Sequence, residues 1–101
     1  MEPVISTRAT NSSISATTSS STVALPSSAA SSNSVIVYNA GPNDAFITTS
    51  VGAGTATTAN YPIGAGQTQP FSKPPSDNYG SAICATGTAT VYFISDNYGG
   101  F

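Results

Sequence analysis

The chain is 101 residues long, carries a formal net charge of -2, and contains only 6% Asp, Glu, Lys and Arg. That length gives one small domain with a modest core, and two cations, Arg8 and Lys73, cannot neutralise a run of phosphates or an anionic lipid surface, so nucleic-acid and membrane partners are excluded. With no histidine, one cysteine and four acids (Glu2, Asp44, Asp77, Asp96), the side chains of acid–base and nucleophilic catalysis are almost missing, and the expectation is a non-enzyme without cofactor or metal.

The opening Met1-Glu2-Pro3-Val4-Ile5-Ser6-Thr7-Arg8 has neither the basic start nor the apolar run of a signal peptide, so synthesis in a cytoplasm is expected. No apolar stretch approaches the ~20 residues that span a bilayer. Residues 9–34 are mostly Ser, Thr and Ala, with isolated apolar groups at Ile14, Val23, Ala24 and Leu25. So few groups to bury leave two readings: a mobile linker, or an extended arm that pairs with a partner's sheet edge. The chain accordingly divides into an arm, 1–33, and a folded domain, 34–101.

From Val35 onward the pattern is of short strands broken by turns. Ser34-Val35-Ile36-Val37-Tyr38-Asn39 is β-branched and aromatic, Gly41-Pro42-Asn43-Asp44 carries turn residues, and Ala45-Phe46-Ile47-Thr48-Thr49 would return as a hairpin. After Gly52-Ala53-Gly54, residues 55–61 read as a strand stopped by Pro62. Gly64-Ala65-Gly66 is a turn, and 67–71 is a weak strand whose Pro70 suits a sheet edge. Pro74-Pro75 is an extended connector. The last pair, 81–85 and 88–94 around Thr86-Gly87, reads as a second hairpin. No window shows a helical apolar period. The fold expected is all-β: a small antiparallel sandwich or barrel of six to eight strands with an extended Ser/Thr-rich N-terminal arm.

Strand 88–94 is apolar on both faces, Val91 and Phe93 alternating with Tyr92 and Ile94. A half-solvated antiparallel strand has one polar face. A second covered face, supplied by another subunit, is therefore expected.

Several residue groups invite a site. Ser76-Asp77-Asn78-Tyr79-Gly80 returns as Ser95-Asp96-Asn97-Tyr98-Gly99, and a final hairpin would set Gly80 opposite Ser95. Asp77, Asn78, Asp96 and Asn97 offer oxygens to calcium, but two carboxylates make a thin cage and Ser-Asp-Asn-x-Gly is ordinary turn chemistry, so turns are preferred. Thr55, Thr57, Thr58, Thr86, Thr88 and Thr90 form a lattice that orders water, or simply a solvent face. Tyr38, Tyr61, Tyr79, Tyr92 and Tyr98 would stack on sugars, without visible clustering. Cys84, in an apolar run and with no cation nearby in sequence, reads as a buried hydrophobe.

The run from Val35 to Ile47, with its strand followed by Asn39-Ala40-Gly41-Pro42-Asn43-Asp44-Ala45-Phe46, resembles small structural proteins of tailed bacteriophages. Ala56-Thr57-Thr58-Ala59-Asn60-Tyr61-Pro62-Ile63, Ala65-Gly66 and the run from Ile83 to Phe93 extend the resemblance over roughly residues 35–94. It implies a head decoration, or cement, protein that binds the major capsid protein on the outer capsid surface of the virion. It further implies a homo-oligomer, with a trimer favoured, and no catalytic residue. A tail or head-fibre component, or a carbohydrate-binding adhesion module, is the alternative.

Overall fold

The computed structural model describes residues 10–30 and 32–95. The elements are β1 (Asn11–Ala16), β2 (Ser21–Ala24), a single helical turn α1 (Ser27–Ala30), β3 (Ser34–Pro42), β4 (Ala45–Ser50), β5 (Tyr61–Ile63), β6 (Thr68–Ser72), β7 (Tyr79–Ile83) and β8 (Ala89–Ile94). Two four-stranded antiparallel sheets result, in the orders β1-β8-β3-β6 and β2-β7-β4-β5. Only β4 and β5 are joined within one sheet, and every other connection crosses to the opposite sheet. That ordering is the double-sheet jelly roll, an antiparallel sandwich of eight strands.

The core follows from the two-residue period of a strand. In β8, Ala89, Val91 and Phe93 are buried between the sheets, while Thr90, Tyr92 and Ile94 face out and are half-buried. Val35 and Val37 of β3, Ile14 of β1, Ile47 of β4 and Ile63 of β5 join them. Close packing is visible at Gly80: a Cβ there would stand 2.8 Å from Cε1 and Cζ of Phe93, so β7 meets β8 across the layer only because residue 80 has no side chain.

Three sequence expectations change. Residues 34–39 and 45–49 do not form a hairpin, since β3 lies in the first sheet and β4 in the second. β3 instead runs on through Gly41 and Pro42, paired with Thr90 and Ala89, leaving Asn43 and Asp44 to cross the ~10 Å between sheets. The final hairpin is overturned in the same way: β7 pairs with β2 and β4, β8 with β1 and β3. The crossing loops are stitched to each other rather than closed on themselves, Asn43 N–H donating to Thr88 O (3.2 Å) and Thr88 N–H to Asn43 Oδ1 (3.1 Å). Third, Pro62 does not stop a strand but sits within β5, an edge strand where proline is tolerated. Residues 51–60 lie back over the second sheet, with Ala56 buried and its N–H on Ser20 Oγ (2.7 Å).

The edge position read for Pro70 is the observed one, since β6 pairs with β3 alone. Residues 11–16 and 21–24 of the Ser/Thr-rich segment are extended, and the sheet edges that they meet belong to their own chain: β1 pairs with β8 and β2 with β7. β1 and β2 are therefore as much part of the sandwich as β3 to β8.

Candidate interaction surface

The first SDNYG copy forms a turn tied to its surroundings through Asp77 and Asn78. Asp77 N–H donates to Pro74 O (3.0 Å), and Thr49 Oγ1 donates to Asp77 Oδ2 (2.8 Å). Asn78 N–H reaches Ser50 O (3.0 Å), its O accepts from Leu25 N–H (3.0 Å), and its Oδ1 accepts from Gly52 N–H (2.9 Å). Tyr79 opens β7, half-buried opposite Ser50 and Ala24. Of the second copy, Ser95 is buried and bonded to Thr10 in both directions. Asp96, Asn97, Tyr98 and Gly99 lie outside the described residues. The two copies begin at the same end of the sandwich, but on opposite sheets rather than on paired strands. Among the described residues no three His, Cys, Asp or Glu side chains converge.

Lys73 beside this turn escaped the sequence reading. It is only 6% exposed, and its ammonium donates to Ser32 O (2.6 Å) and Asp77 O (2.8 Å), with Pro74 O and Ala30 O at 3.4 and 3.5 Å. Burial lowers its pKa, and the nearby Asp77 charge partly opposes that. The ammonium acts as a knot between the β2–β3 and β6–β7 connections. No local pattern announces it, because Ser32 lies 41 positions away.

The opposite end is organised by Asn39, fully buried on β3. Its Nδ2 donates to Asn43 O and Ile63 O (both 2.9 Å), and its Oδ1 accepts from Gly41 N–H (2.8 Å). A shallow concavity of about 290 Å³ lies there, lined by Pro42, Asn43, Asp44, Phe46, Ala85 and Thr86. Gly87, at φ +70, closes the adjoining loop where a Cβ would collide with Asn43 Oδ1. Cys84 is buried in the core, as its apolar surroundings imply, and burial, then the charge of Asp44, pushes its thiol pKa up.

The threonines form no lattice: Thr55, Thr57 and Thr58 lie in the 51–60 connection, Thr86 and Thr88 in the loop before β8. The tyrosines separate too. Tyr61 meets Phe71 edge-on at 5.1 Å, closing the β5/β6 side of the sandwich, while Tyr38 and Tyr92 stack at 5.9 Å with an interplanar angle of 22°. That second pair belongs to an apolar group on the outer side of the first sheet. There Ile36, itself buried, pairs with Ile94 and Pro70, and Tyr38 with Tyr92, so that Tyr38, Tyr92 and Ile94 are the half-buried apolar groups left on that side. Asn11, Ser13, Ser15, Thr68 and Thr90 surround them, and none of the four strands carries a charge. The group is uncharged and aromatic at its centre and polar at its rim. The apolar outer face expected from Tyr92 and Ile94 thus exists and is extended by β3.

Comparison with known proteins returns no matching family model, no matching curated protein and no matching solved structure.

Proposed function

We propose that this chain is a non-enzymatic structural protein of a bacteriophage virion, which decorates the capsid by binding the major capsid protein on its outer surface as an oligomer. The observation that carries this reading is the uncharged, half-buried face of Tyr38, Tyr92 and Ile94 on the two central strands of the first sheet, seated beside the already buried Ile36. Central strands are the stiffest part of a sheet, so the face is a preformed platform, and its burial against a capsid subunit would clamp neighbouring subunits by the hydrophobic effect. The sequence resemblance over residues 35–94 supports the same assignment. Jelly rolls build many capsid and lectin domains, which is compatible with it at the level of architecture only.

An apolar contact is weakly screened by salt, whereas ion-paired contacts are not. Binding of the purified chain to capsids, followed by co-sedimentation across a salt series, should therefore hold from low to high salt. Complete release at moderate salt would contradict the mechanism. A carbohydrate-binding reading has one observation behind it, the concavity where Phe46 and Asp44 meet. Glycan-array binding without capsid affinity would favour it.

A further inference from the structure

We propose that two copies of the chain pair through the free edge of β1, antiparallel about a two-fold axis at Ser13, joining their first sheets into one continuous sheet. The two sheets have four edge strands, and three carry features that prevent pairing with another chain. β6 contains Pro70, and β5 has three residues including Pro62, the two being closed together by Tyr61 and Phe71. β2 has four residues. β1, Asn11-Ser12-Ser13-Ile14-Ser15-Ala16, is six residues long, with no proline, no charge and an unbroken register against β8. It is the one edge left open among the described residues.

The register shows which main-chain groups are free. Ser95 N–H donates to Thr10 O (2.8 Å), so Thr10 and Ser95 form a hydrogen-bonded antiparallel pair. By alternation Ser12, Ile14 and Ala16 direct their N–H and C=O toward β8. Asn11, Ser13 and Ser15, all exposed, direct theirs to the open side. A second copy fits that side in one register. Ser13 meets the partner's Ser13, and Asn11 meets the partner's Ser15, each opposed pair exchanging two backbone hydrogen bonds. The facing side chains are short hydroxyls and an amide, and no like charges meet. The contact is self-complementary, as a two-fold interface requires.

The axis relating antiparallel neighbours stands perpendicular to the sheet, so both copies keep their outer faces on one side. Two Tyr38–Tyr92 stacks would then point the same way. What the dimer is for rests on the capsid reading above, while the dimer itself does not.

Sedimentation of the full chain at high micromolar concentration should give a dimer. Ser13→Lys and Ser13→Asp each place like charges across the axis, so each alone should sediment as a monomer. Mixing the two should restore a heterodimer, which also shows that both variants are folded. Ser13→Cys should yield a disulfide-linked dimer on mild oxidation, since directly opposed Cα atoms in such a pair stand about 5.5 Å apart. A monomeric wild type would overturn the proposal, as would a trimer or larger assembly that keeps its mass in Ser13→Lys, or no cross-link in Ser13→Cys. These readouts are of mass alone. Capsid binding by monomeric Ser13→Lys would leave the functional reading standing, and a dimer that ignores capsids would leave the pairing standing.

Discussion

Two buried polar side chains hold the ends of the sandwich, and each ties a neighbouring turn to a backbone carbonyl distant in sequence, Ser32 O for Lys73 and Ile63 O for Asn39. Lys73 places a charged donor on Ser32 O and Asp77 O. Its replacement by Met keeps the aliphatic length and strands both carbonyls. Lys73→Met should therefore lose about 2–4 kcal/mol in denaturant unfolding, and a loss near zero would mean that water replaces the ammonium. Lys73 is the only lysine, so its titration can be followed by carbon-13 labelling without assignment. The midpoint should lie below that of an ordinary lysine, because desolvation outweighs the attraction of Asp77. The sign for stability follows. Between the lowered folded value and the unfolded one, the unfolded chain holds more protons, so Lys73 makes stability rise with pH in that window. Asn39 is the neutral counterpart, one amide that satisfies Gly41, Asn43 and Ile63. Asn39→Ala leaves Gly41 N–H and Ile63 O buried without it and Asn43 O partly so, and should cost about 3 kcal/mol in the same measurement, with local hydrogen exchange fastest at residues 41–44.

Between elements, the determining feature is that six connections cross from sheet to sheet. The strands β3, β4, β6, β7 and β8 were legible in the sequence because β-branched runs and turn residues are local signals, and Pro70 correctly marked an edge. Residues 55–60, by contrast, were misread as a strand, and the Ser/Thr-rich β1 and β2 carried too few apolar residues to be read as part of the sandwich. Strand partners were not legible, because a loop such as Gly41-Pro42-Asn43-Asp44 looks the same whether it closes a hairpin or spans two layers. What decides is the packing of inward faces, Val35 and Val37 against Ile47, which pattern alone does not pair. The buried Asn39 and Lys73 were hidden for the same reason, their acceptors being set by topology. The outward face of Tyr92 and Ile94 was legible, since alternation reports both faces of a strand. The crossing of β7 over β8 makes a sharp prediction. Gly80→Ala puts a methyl against the fully buried Phe93 ring, and should cost about 1–3 kcal/mol by thermal or denaturant unfolding. If β7 and β8 were hairpin neighbours instead, the exchange would be close to neutral.

For the molecule as a whole, charge is sparse, and among the described residues Asp44, Asp77 and Lys73 sit in the connections while the four strands of the first sheet have none. The outer face of that sheet is consequently where the proposed contact with a capsid subunit would run. Capsid decoration through this face is the central claim, and Tyr92 is its most direct test, half-buried at the centre and stacked on Tyr38. The measurement is occupancy on purified capsids, wild type against Tyr92→Glu, with unfolding curves confirming that both are folded. Wild type should coat the shell in many copies, and Tyr92→Glu should lose at least tenfold in affinity, about 1.4 kcal/mol. Equal occupancy of the two, or a wild type confined to a few copies at one vertex, would contradict the account.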